Sequence, residues 1–157
     1  MANVNGEALL EECRRILTGT EDNGTALQRI AAFLQKEVKH YDWFGFYLTV
    51  PGERQLALGP YEGASTDHLR IPFGRGICGQ AAEREETVLV DDVTAESNYL
   101  ACSLETKSEI VVPIMEGERV LGEIDIDSHI KAAFDESDRL FLEKLATILK
   151  ERLPQID

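Results

Sequence analysis

Residues 121–127 read Leu-Gly-Glu-Ile-Asp-Ile-Asp, an alternation of apolar and acidic side chains. A period of two is the signature of a β-strand, whose successive side chains point to opposite faces of the sheet. Gly122, Ile124 and Ile126 therefore share one face, and Leu121, Glu123, Asp125 and Asp127 share the other. Aspartate is depleted in strands, so two on one face require a reason. One reading is a solvated sheet face. The other is a paired-carboxylate site, in which mutual repulsion raises one pKa and keeps a proton available near neutral pH.

The same parity applies at Trp43 to Val50, an aromatic, β-rich run. Phe44, Phe46 and Leu48 point one way, and Trp43, Gly45 and Tyr47 the other, presenting a Trp and a Tyr with a gap between them. A strand buried on both faces explains this pattern as well as a pocket wall does. Around these two strands the chain predicts helices over Glu7 to Leu17 and Thr25 to Lys39, from apolar residues at helical spacing. Pro51-Gly52-Glu53-Arg54 reads as a turn into a partner strand over Gln55 to Leu58. Leu69 to Ile71 reads as extended, and Gly74-Arg75-Gly76 as a tight turn into a short helix from about Cys78. Thr87 to Val90 reads as a strand, and Glu109 to Met115 with Val120 to Asp127 as a hairpin. Asp135, with Asp138 three residues on, caps a final helix running to about Arg152. The order predicts an α+β fold with a central antiparallel sheet, the N- and C-terminal helices on one face and pocket-forming loops on the other. Residues 1–157 are expected to form one domain.

The 157 residues carry a formal net charge of −13. Phosphates would be repelled, so nucleic acid and anionic membrane surfaces are not expected partners. No apolar run approaches the roughly 18–20 residues a membrane span needs, and the first residues show no signal-peptide pattern. Three cysteines point to a reducing, cytoplasmic setting. Cys13 lies on the apolar face of the first helix and reads as core. Cys78 follows a glycine turn at the start of a helix, where the helix dipole favours a thiolate. Cys102 lies in a loop, Asn98-Tyr99-Leu100-Ala101-Cys102-Ser103, where packing explains it less readily. The cysteines lack CxxC spacing and His40, His68 and His129 are scattered, so no metal site is expected. Gly74-Arg75-Gly76-Ile77-Cys78-Gly79 matches neither nucleotide-binding fingerprint.

Several segments together resemble one family. Asp42-Trp43-Phe44-Gly45-Phe46-Tyr47-Leu48, Leu58-Gly59-Pro60-Tyr61-Glu62-Gly63, Arg70 to Gly79, Ala101-Cys102, Ser108-Glu109-Ile110-Val111-Val112-Pro113 and Gly122 to Ser128 are similar to the free methionine-R-sulfoxide reductases, which are stand-alone GAF-domain enzymes. Generic GAF domains share the glycine turn and the Gly-x-x-x-Asp-Ile pattern. The combination of both cysteines with Ser-Glu-Ile-Val-x-Pro and Asp-Ile-Asp-Ser is more specific.

The resemblance implies thiol-dependent reduction of free L-methionine-(R)-S-oxide, with Cys102 as the catalytic cysteine and Cys78 as a second redox cysteine. It implies Glu109 and Asp127 as catalytic acids, and Trp43, Tyr47, Glu109, Asp125 and Asp127, with Leu100 and Ala101, as substrate-contacting residues. A thioredoxin-type reductant would reopen the disulfide. No cofactor is required, and GAF domains often form homodimers. One departure is His68, where the family usually has a third, resolving cysteine; another is Ser103, where an acid usually stands. A non-catalytic GAF domain that binds a small molecule or senses redox state is the alternative.

Overall fold

The computed structural model describes residues 4–99 and 105–154. Helix α1 (Gly6–Gly19) begins at Asn5, whose side chain accepts from the Ala8 N–H, and α2 (Asn23–Glu37) begins at Asp22, which accepts from the Thr25 N–H. These caps satisfy N–H groups that a helix start leaves without partners. Strands β1 (Trp43–Thr49), β2 (Gln55–Glu62) and β3 (Arg70–Pro72) follow. Helix α3 (Gly76–Arg84), strand β4 (Val88–Val90) and a single 3-10 turn at Val93–Ala95 lead to the long hairpin of β5 (Ser108–Glu116) and β6 (Arg119–Ser128). Helix α4 (Glu136–Leu149) closes the fold through the expected reciprocal cap between Asp135 and Asp138.

The six strands form one sheet in the order β3-β2-β1-β6-β5-β4, and each pairing is antiparallel. The hairpin expected at β5–β6 is present. The central pair, β1 with β6, joins distant parts of the chain and sets Trp43 opposite Asp127, Gly45 opposite Asp125 and Tyr47 opposite Glu123.

Parity sorts the side chains as the alternation predicts. On one face Phe44, Phe46, Ile124 and Ile126 meet Leu27 and Leu34 of α2, Leu10 of α1 and Phe141 and Leu145 of α4. Each is buried at helical or strand spacing, so burial of apolar area on this face supplies most of the fold's driving force. Cys13 belongs to this core, and burial, with Glu12 nearby, pushes its thiol up to about 12. On the other face Trp43 and Tyr47 pack with Leu56, Ile71 and Val111 beneath Ile77, Ala81 and Ala82 of α3. This face thus carries a helix as well as loops, and β1 is buried on both sides. No helix among the described residues is long and apolar enough to cross a membrane.

Candidate active site

The acids of β6 are not a solvated face. Glu123 and Asp125 have no exposed surface, Asp127 has 1%, and Glu109 of β5 has 3%. Register explains their assembly: Glu109 stands opposite Asp127 and Val111 opposite Asp125, so the acids of two neighbouring strands project from the same side of the sheet. Helix α3 then covers them and shuts out water.

Cys78 reaches these acids from above. The turn before it needs glycines, since Gly74 and Gly76 take φ values of +90° and +66°. A side chain at Gly79 would collide with the Pro72 carbonyl at 2.6 Å, so α3 can lie this close to the end of β3 only with glycine there. Asn98 fixes the turn from the far side. Its Oδ1 accepts from the Gly76 N–H at 3.0 Å and its Nδ2 donates to the Gly74 carbonyl at 2.8 Å. Arg75, the N-cap residue, makes no side-chain cap, and the amide of Asn98 does that work from another segment.

The result is that Cys78, Glu109 and Asp125 bring one donor atom each within 4.8 Å of one another. They line a cavity of about 10 Å3 together with Tyr47, His68, Ile71, Arg75, Gly76 and Ile77. Burial pushes the Glu123 carboxyl well above its ordinary range, and the neighbouring Asp125 charge pushes it further, while a hydrogen bond from Cys78 opposes both. Burial also raises Asp125, against hydrogen bonds with Glu109 and Cys78 and the charge of His68. Protons are thereby retained on carboxyl groups inside a closed acidic cluster. Cys78 lies in the first turn of α3, as expected, and its side chain hydrogen-bonds the Glu123 and Asp125 carboxyls.

The sequence-expected residues do not all converge. Cys78, Glu109, Asp125 and Tyr47 line the cavity. Asp127 is buried on the same face, directly opposite Glu109 and two residues along β6 from Asp125. Trp43 is not a cavity residue. Its indole stacks on Tyr61 with centroids 5.3 Å apart, and its N–H donates to the Ala64 carbonyl at 2.8 Å. The gap at Gly45 is filled by that indole, which would stand 2.4 Å from an added Cβ. Leu100, Ala101 and Cys102 lie outside the described residues. Two cavity neighbours are absent from the set implied by the resemblance. Glu123 shares the alternation that marks Asp125 and Asp127, and that pattern suffices to find it. His68 stands where the resemblance expects a third cysteine, and the Tyr47 hydroxyl donates to its carbonyl at 3.0 Å.

Comparison with known proteins decides the family. The GAF-domain family model matches residues 20–150. The free methionine-R-sulfoxide reductase of Saccharomyces cerevisiae is 38% identical over 160 aligned positions, covering 96% of this chain and 88% of that protein. This chain is a GAF-domain protein of the free methionine-R-sulfoxide reductase family. Solved structures agree. The free methionine-R-sulfoxide reductase from Neisseria meningitidis, in complex with its substrate, superimposes with a TM-score of 0.85 at 39% identity, covering 97% of this chain and 92% of that one. The Staphylococcus aureus member of the family, also in complex with substrate, gives 0.85 at 31% identity over 98% of this chain and 100% of that one.

Proposed function

We propose that this reductase acts on free L-methionine-(R)-S-oxide, with Cys102 as nucleophile and the acids of β5 and β6 as the proton source. The observation that carries the reading is the closed cluster of Cys78, Glu109 and Asp125, beside Glu123, whose carboxyl burial pushes well above its ordinary range. Sulfoxide oxygen leaves only when protonated. The Cys102 thiolate attacks the sulfoxide sulfur, one carboxyl of the Glu109–Asp125 pair delivers one proton to the sulfoxide oxygen, and that oxygen passes as hydroxyl to the Cys102 sulfur as its bond to the methionine sulfur breaks, giving methionine and a Cys102 sulfenic acid. The Cys78 thiol then attacks that sulfur, giving a Cys78–Cys102 disulfide and water. A thioredoxin-type reductant reopens the disulfide by exchange. Glu109 and Asp125 are favoured for the shared proton over Glu109 and Asp127, because Asp125 borders the cavity and Asp127 does not. Asp127, buried on the same face, then takes the substrate ammonium. Tyr47 walls the S-methyl group, and Trp43 acts by shaping the wall behind it.

The test couples purified protein to thioredoxin, thioredoxin reductase and NADPH, with the two epimers of free methionine sulfoxide offered separately. NADPH oxidation is expected with the R epimer and is lost in Cys102→Ser. Absence of oxidation with the R epimer sinks the proposal. Cys78→Ser is expected to stall after one turnover; sustained turnover in that variant removes Cys78 from the resolving role.

A further inference from the structure

We propose that His68, Cys78, Glu109 and Asp125 form a binding site for one divalent transition-metal ion of the zinc class. The ion would be an inhibitor of the site and not a cofactor of its reaction. Binding stands on the geometry alone; inhibition rests on the reductase reading.

Two independent observations support the site. The first is the donor set. A thiol and two carboxylates already stand within 4.8 Å of one another, and an imidazole borders the same cavity. Sulfur, nitrogen and oxygen donors in this mixture suit zinc and its first-row neighbours better than magnesium or calcium, which prefer oxygen alone. Donors bound to one zinc at about 2.0–2.3 Å stand roughly 3.5 Å apart in a tetrahedron. Closing the cluster onto an ion therefore asks for side-chain rotations and no movement of the sheet. The second observation is Asp125 itself. It is fully buried and borders the cavity, and neither of its oxygens accepts an N–H or hydroxyl hydrogen bond from a described residue. The groups that approach it are the Cys78 thiol, the Glu109 carboxyl and His68, each of them a metal-ligand type.

The electrostatics point the same way. Glu109, Glu123 and Asp125 share one dry compartment, where burial raises the Glu123 and Asp125 carboxyls and so disfavours several negative charges together. A divalent ion does the same work with one particle, displacing the thiol proton and the shared carboxyl proton as it binds. The cavity, at about 10 Å3, has room for one ion as it stands. Held there, the ion would tie up the Cys78 sulfur and the acids that the proposed reaction needs for protons.

Cobalt(II) is the direct probe, because a thiolate bound to it gives an intense near-ultraviolet charge-transfer band. Fully reduced protein, freed of reductant under anaerobic conditions, is titrated with cobalt(II) and then with zinc(II). One equivalent of cobalt is expected to produce the band, and zinc to abolish it. The band is lost in Cys78→Ser. His68→Ala and Asp125→Asn weaken cobalt binding by about tenfold or more. His68 lies half-buried in a loop, so its variant tests the site without risking the core. No one-to-one binding, a band that survives in Cys78→Ser, or unchanged affinity in His68→Ala overturns the proposal. The optical signal is silent about turnover. Protein that binds cobalt but reduces no sulfoxide overturns only the reductase reading, and the converse overturns only this one.

Discussion

The two faces of strand β6 are equally buried and chemically opposite. Ile124 and Ile126 lie against α2 and α4 with no exposed surface, while Glu123 and Asp125, their immediate neighbours in sequence, lie under α3 with none either. Burial is therefore no guide to role here. The apolar face gains free energy from every atom it hides. The acidic face loses it, because each carboxyl gives up water for neighbours that are also acids. One side of the sheet stabilises the fold and offsets the cost of the other, as expected where a site needs groups that a stable core would exclude.

Substitution on each face separates the two. The largest effect is expected from Phe44→Ala, which opens a cavity in the helix-covered core and should cost about 3–5 kcal/mol in a denaturant or thermal melt. A loss below 1 kcal/mol would mean that this face is not the main support. Glu123→Gln should act in the opposite sense, stabilising the protein at neutral pH by about 1–2 kcal/mol while lowering sulfoxide reduction. Destabilisation by that variant would show that the charge-bearing group is a net support, and the comparison would fail.

The pH dependence sharpens the same contrast. The folded-state pKa values of Glu123 and Asp125 are raised, both chiefly by burial. The folded protein keeps these protons where the unfolded chain has lost them. Stability therefore falls as pH rises from about 4, the ordinary carboxyl value, toward the raised folded values. Melts of the parent across this window should show that decline, and Glu123→Gln should flatten it. An unchanged slope in the variant would assign it to other groups. The smallest effect is expected from Tyr47→Phe, which removes only the hydroxyl that holds the His68 carbonyl. It should cost about 1 kcal/mol and leave the helix-covered face untouched; a loss as large as that of Phe44→Ala would mean that the two faces are not independent.

Local pattern made the elements legible and left their neighbours hidden. The alternation at Glu123 to Asp127 gave both the strand and the sidedness of its acids, and the Asp135–Asp138 pair marked the start of α4. Strand β2 runs to Glu62 where a strand to Leu58 is expected, because Gly59 and Pro60 read as a break, whereas they form an irregularity beyond which Tyr61 and Glu62 pair with β1 again. Helix α3 starts two residues before Cys78, since the Gly74–Gly76 turn is closed by Asn98, a partner more than twenty positions away. The adjacency of β1 and β6 has no local signal either, and it places Gly45 against Asp125. Whether the acids were wet or dry depended on that adjacency and on α3 covering them. The solvated reading was therefore open in sequence and is closed in structure. Trp43 shows the reverse limit: parity placed it on the right face, but its stacking on Tyr61 could not be read from spacing.

Cys13, set in the helix-covered core, has a practical consequence for thiol counting. A thiol held at about 12 with no exposed surface does not meet an alkylating reagent while the fold is intact. Any titration of native protein should leave this sulfur unlabelled, and denaturant should release it. The chain thus carries its own internal clock for global opening: the rate at which Cys13 becomes labelled reports unfolding of the core, separately from the redox state of Cys78 in α3.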